Sequence, residues 1–230
     1  MAVRDEASRF VVTVLQCSRH PGRFAGAWFA GATRAPNPIG YVSTSLAITA
    51  AARSVTAALV GGADDGGLWS SLAVATLPYA YYALLGVLCH VVLRPGQATR
   101  PLSASLAIAL YIGGGPGLLL TLSLDLDLLL YSAVTGGGSL QHGFAAAPPW
   151  ARLVLIALAL GTSALFMMAL ASAMRGLHGR SRLRTVAAIV FALAGSGLLL
   201  SALHAMFHFA LGVPHFLFHL RREAPIDIWF

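Results

Sequence analysis

Long runs of apolar residues, rather than the spaced apolar stripes of water-facing helices, dominate this chain. A bilayer-crossing helix takes roughly 20 mainly apolar residues, and five stretches reach that length once Gly and Pro are read as punctuation. The first covers about residues 40–62, between Pro36-Asn37-Pro38 and a glycine run that holds Asp64 and Asp65. The second covers about residues 68–93 and stops at Arg94-Pro95-Gly96. The third begins after Arg100-Pro101 and stays apolar to about residue 134. The fourth covers about residues 150–174 after Pro148-Pro149, and the fifth about residues 185–213, ahead of Pro214. The pattern predicts an all-α, polytopic membrane protein built as a bundle of about five transmembrane helices. Within the third stretch, Gly113-Gly114-Gly115-Pro116-Gly117 predicts a kink or an unwound turn, because Pro lacks a backbone donor and Gly weakens a helix.

Composition strengthens this reading. With 57% hydrophobic and only 10% charged residues, and a mean hydropathy of +0.76, the chain has too few charges to cover a water-facing surface but enough for a lipid-facing one. Every basic residue is arginine, and Ala, Leu and Gly dominate the rest, a bias that suggests a GC-rich bacterial genome. The net charge of +7 does not point to nucleic acid, since the arginines fall one or two at a time between apolar runs and form no basic stripe with aromatics. Cys17 and Cys89 imply neither a disulfide framework nor a CxxC metal knuckle.

The arginines do set an expected topology. Arg4, Arg9, Arg19, Arg23 and Arg34 precede the first predicted helix, Arg94 and Arg100 follow the second, and Arg175, Arg180, Arg182 and Arg184 follow the fourth. All three segments fall on one side, giving a multi-pass protein of the bacterial inner (plasma) membrane with a cytoplasmic N-terminus and a periplasmic C-terminus. The expected organisation is a cytoplasmic amphipathic segment over residues 1–39, one transmembrane domain over 40–213 and an interfacial tail over 214–230. The N-terminal segment carries charges throughout and lacks the apolar core of a secretory signal, so insertion is expected to rely on the internal helices. Its Phe10, Val11, Val12 and Leu15, with Phe24, Trp28 and Phe29 among arginines, predict either a helix lying on the membrane surface or an arm docked on the bundle.

Ionisable groups inside apolar runs are the candidates for chemistry, because burying them in lipid is costly. Asp125 and Asp127 fall near the outer end of the third predicted helix, where Arg152 at the start of the fourth is the expected counter-ion. Arg53 lies roughly 18 Å into the first helix at 1.5 Å per residue, near mid-membrane, where carbonyls of the interrupted third helix or Asp125 across a tilted contact are expected to hold it. His204 and His208, then His215 and His219, repeat an i, i+4 spacing that sets two imidazoles on one helix face, a geometry a metal or haem site uses. The phenylalanines among them equally suit an interfacial aromatic belt. No nucleophile elbow, phosphate loop or HExxH motif is present in the sequence, so no catalytic residue is assigned.

Two stretches resemble the Yip1-like group of five-helix integral membrane proteins, which includes uncharacterised bacterial members. Arg19-His20-Pro21-Gly22-Arg23-Phe24, followed by Gly31 and Asn37-Pro38, is similar to that group's element ahead of its first helix. Arg175-Gly176-Leu177-His178-Gly179-Arg180-Ser181 with Arg184 is similar to its short basic loop between the last two helices. The resemblance implies a membrane protein without known catalysis, whose eukaryotic relatives take part in membrane traffic and bind small GTPases. The His204 region, Asp125 and Asp127 have no counterpart in that pattern.

The leading expectation is therefore a non-enzymatic membrane protein without a cofactor, acting through contacts with lipids and with a membrane-protein partner or a second copy of itself. One alternative is a small oligomeric transporter or channel using Arg53, Asp125 and Asp127. The other is a metal or haem subunit ligated by the histidines.

Overall fold

The computed structural model describes residues 2–60, 67–94, 101–135 and 148–210, and among them every regular element is helical. A two-part arm comes first, α1 over Ala2–Arg19 and α2 over Pro21–Phe29, hinged at His20. The long helices follow: α3 over Pro38–Val60, α4 over Gly67–Leu93, α5 over Leu102–Ile112, α6 over Leu118–Thr135, α7 over Pro149–His178 and α8 over Arg182–Ala210. Their ends obey local chemistry. Asn37 starts α3 by accepting the Ile39 N–H on its side-chain oxygen at 3.0 Å. Gly179 ends α7 in the left-handed region at φ +61, one turn beyond the predicted end near residue 174.

Among the described residues, four helical stretches are long and apolar enough to cross a membrane: Ala75–Leu93, Leu102–Asp127, Ile156–His178 and Arg182–Leu199. The first predicted span is a helix, α3, which over its described residues is not among those four. Its hydroxyl residues at 43–45, 49, 54 and 56, with Arg53, lower its hydropathy.

In the third stretch the glycine run departs from regular α-helix without ending the helix. Ile112, Gly113 and Leu118 all keep right-handed helical angles, and Gly113–Gly117 forms a single π turn joining α5 to α6 in one continuous rod. Pro116 withholds one donor, and widening the turn by a residue lets the rod continue around it. An extra residue rotates everything beyond it by about 100° relative to an uninterrupted helix, so the π turn decides which face of α6 meets its neighbours.

Contacts along the rod fix the levels of the other helices. Gly86 meets Ala109 and Tyr82 packs on Gly113 and Gly117, so α4 runs antiparallel to the rod. Ser45 bonds Gly114 and Arg53 faces Asp125, so α3 runs parallel to it. The Tyr111 hydroxyl donates to the Pro36 carbonyl, which sets the start of α3 beside the end of α5 rather than beside its beginning. α3 therefore enters about 16 Å up the rod, and α2 fills the space below that entry, with Phe24 edge-on to Tyr111 at 5.1 Å. The core is continuous from the arm into the bundle, through Cys17, Phe24, Tyr41, Tyr82, Tyr111, Leu170 and Leu177.

Candidate functional site

α3 turns a polar stripe inward. Tyr41, Ser45 and Thr49 lie one turn apart, are all buried, and lead to Arg53 one turn further on. Ser45 Oγ donates to the Gly114 carbonyl at 2.8 Å, and Thr49 Oγ1 meets the Tyr79 hydroxyl of α4 at 3.2 Å. α6 answers with Thr121 and Asp125, again one turn apart and buried. Thr121 Oγ1 donates to the Gly117 carbonyl at 2.9 Å and also interacts with Tyr82. The seam ends where Arg53 Nε stands 3.7 Å from Asp125 Oδ1. That separation is an ion pair too long for a direct hydrogen bond. Asp125 Oδ2, Asp127 Oδ2 and the Tyr41 hydroxyl are buried without a hydrogen-bond partner among the described residues.

Glycines let this seam close. A Cβ on Gly114 would fall 2.6 Å from the Tyr41 ring and one on Gly115 would fall 2.9 Å from the Tyr41 hydroxyl, while Gly113 and Gly117 abut Tyr82. The π turn is thus gripped between two tyrosine rings, and the aromatic group extends through Phe10, Tyr41 and Tyr111 with centroids 5.0 and 5.2 Å apart.

A second polar cluster lies at the opposite end of the rod. His90 Nδ1 and His178 Nε2 approach Ser105 Oγ at 2.9 and 3.0 Å, joining the end of α4, the start of α5 and the end of α7. A serine hydroxyl has one proton to give and two lone pairs to offer, so in the neutral cluster it can donate to one imidazole and accept from the other. The spacing matches that of a nucleophile and its base. However, Ser105 and His178 are fully buried and His90 is 3% exposed, so the cluster ties three helix ends together within the core.

The arm docks beside this cluster. Gly22 of α2 crosses α7 so closely that a Cβ on it would lie 2.8 Å from the Ser172 carbonyl oxygen, and a Cβ on Gly176 would overlap the Gly22 carbonyl. Thr13, Cys17, Phe24 and Ala25 are buried by this docking, whereas Val11, Val12 and Leu15 remain exposed on the outer side of α1. Burial pushes the Cys17 thiol well above its ordinary range by denying its thiolate solvent. A shallow open groove of about 520 Å³ flanks the arm, walled by Trp28, Phe29, Pro38, Ile39, Ala107 and Leu110.

The structure thus places some predicted site residues together and relocates others. Arg53 and Asp125 meet, as one of the expected pairings had it. The level of Arg53 follows from α3, which starts partway up the rod and so brings Arg53 beside Asp125. The partner shown for Asp125 is Arg53; the Arg152 side chain lies outside the described residues. His204 and His208 fall on the backbone of α8 with side chains outside the described residues, and His215 and His219 lie outside them altogether. Among the described residues no group of three or more His, Cys, Asp and Glu side chains is placed to hold a metal ion. Both cysteines are free and buried.

Sequence reasoning missed the His90, Ser105 and His178 cluster. Its one signal was a lone histidine in the last turn of two apolar helices, α4 and α7, and nothing in the spacing announced that Ser105 would stand between them. Family models, curated proteins and solved structures give no match to this chain.

Proposed function

We propose that this chain is a non-enzymatic, multi-pass membrane protein of the bacterial inner membrane that acts through contacts with lipids or a partner made by its arm and the flank beside it. In this reading α3 crosses the bilayer with the four more apolar stretches, its polar stripe turned inward, giving five spans with the arm on the cytoplasmic side. The observation that carries the reading is the arm itself. α1 and α2 are held to the bundle by a buried face, yet α1 leaves Val11, Val12 and Leu15 outward, and α2 ends at the groove walled by Trp28, Phe29 and Ile39. An apolar row on a docked amphipathic helix suits a membrane interface or another protein's helix. The Yip1-like resemblance belongs to the same proposal, supported by the meeting of its two motif stretches at Gly22 and Gly176. Gentle-detergent purification followed by cross-linking and native mass spectrometry is the test. Retained lipids, a stable partner or a homo-oligomer is the expected result, and a bare monomer with nothing bound overturns the reading.

A second reading, a small transporter or channel, is favoured by one observation: buried hydroxyls of Ser45, Thr49, Tyr79 and Thr121 line the way to the Arg53 and Asp125 pair. Ion flux in proteoliposomes, lost on changing Asp125 and Asp127 to Asn, is its expected signature; vesicles no leakier than protein-free ones rule it out.

A further inference from the structure

We propose that the arm and the adjoining helix ends form a binding surface for anionic phospholipid headgroups, an inference that rests on the lipid-contact reading above and names its chemistry. The crossing of Gly22 over Gly176 brings Arg23 of α2 and Arg175 of α7, each the immediate neighbour of a crossing glycine, to one place. Arg19 closes α1 just before the His20 bend that leads to Arg23. The clamp of His90, Ser105 and His178 brings the end of α4 to the same level, and the Arg180 Nε contact with the Leu93 carbonyl at 3.3 Å sets Arg94 beside the connection to α8. Arg182 and Arg184 open α8 there.

Arg19, Arg23, Arg94, Arg175, Arg182 and Arg184 are all exposed. The acidic residues with described side chains lie elsewhere, Asp5 and Glu6 at the far end of α1 and Asp125 and Asp127 at the other end of the rod. Six guanidinium groups gathered without carboxylates repel one another, and an anionic surface relieves that repulsion within a Debye length of roughly 8–10 Å. Phosphodiester oxygens match the guanidinium fork in pairs. The exposed Val11, Val12 and Leu15 lie on the same arm, and an apolar row beside arginines suits the boundary where headgroups give way to acyl chains better than it suits a water-exposed acidic protein. The charge is therefore matched to a membrane lipid rather than to an acidic polypeptide.

The test uses the full-length protein in neutral detergent, titrated with phosphatidylglycerol or phosphatidylcholine and followed by native mass spectrometry and by the unfolding midpoint. Phosphatidylglycerol should bind tighter and raise the midpoint, and raising the salt should erase the difference. Arg23→Gln with Arg175→Gln should weaken phosphatidylglycerol binding roughly 30-fold at low salt, while Arg23→Lys with Arg175→Lys keeps most of it. Because these side chains are exposed, the variants keep the fold, which the midpoint in phosphatidylcholine verifies. Equal binding of the two lipids, an unaffected glutamine variant, or displacement of phosphatidylglycerol by a poly-glutamate peptide at matched charge overturns the proposal. Each of those results leaves the broader reading intact, since a partner or neutral lipid retained on purification is scored separately.

Discussion

The two halves of the central rod are both apolar in sequence, α6 less so because it carries Asp125 and Asp127, and they live in different surroundings. α5 is wrapped on most sides, with Ser105, Ile108, Tyr111 and Ile112 fully buried beneath α1, α2, α4 and α7. α6 buries Thr121 and Asp125 against α3 while leaving Leu119, Leu126 and Leu130 about half exposed. The lower half is enclosed by its neighbours around the buried polar bridge of His90, Ser105 and His178. The upper half is polar inward and apolar outward, the arrangement expected where lipid is the solvent. The π turn between them marks the change.

The largest effect that tests this contrast is at the lower half. Gly176→Leu forces a side chain into the α2 backbone and should cost about 3 kcal/mol or more, measured as a drop in the unfolding midpoint in detergent. Release of the arm should expose Cys17, whose alkylation then becomes fast. The pH dependence follows from burial raising the thiol: docking is unaffected below the ordinary thiol range, near 8.5, and weakens above it, because only the released arm gains by ionising. Wild-type protein should therefore alkylate slowly at pH 7, with the rate climbing steadily with pH as the thiolate of the released arm becomes more populated. Rapid labelling of the wild type at pH 7 would mean that the arm is not docked.

Next in size is the upper half. Arg53→Leu leaves Asp125 charged and unpaired and should cost about 3 kcal/mol, whereas Arg53→Leu with Asp125→Leu should recover most of the loss. If the double variant is as unstable as the single one, the pair does more than neutralise itself.

The junction should respond in two directions. Gly114→Ala drives a Cβ against the Tyr41 ring and should destabilise by about 1–3 kcal/mol. Tyr41→Phe removes a buried hydroxyl that has no partner and should stabilise by about 1 kcal/mol; a loss there would reveal a ligand for that hydroxyl. Smaller still, Ser105→Ala strips the bridge between two imidazoles and should cost about 1 kcal/mol, read from denaturant unfolding. A neutral result would make the cluster mere packing.

How much of this was legible in the sequence varies by element. The helix positions were, because runs of apolar residues bounded by Pro, Gly and Arg leave a chain few alternatives; α4 ends at Leu93 where Arg94-Pro95 predicted. Arg53 and Asp125 were also legible as costly groups in need of partners. The clamp at Ser105 was not, since it depends on three helix ends separated by 15 and 73 residues in the chain meeting at one point. Nor was the form that the glycine run takes, a π turn held between two tyrosine rings.

By itself the sequence determined that this is a helical chain with stretches long and apolar enough to cross a membrane, because length, hydropathy and turn residues act locally. Only the tertiary structure decided at what level α3 enters, and hence that Arg53 stands beside Asp125. It alone also decided that Gly22 and Gly176 touch. Those outcomes depend on the register between helices, which side-chain packing sets and which no single stretch of sequence encodes.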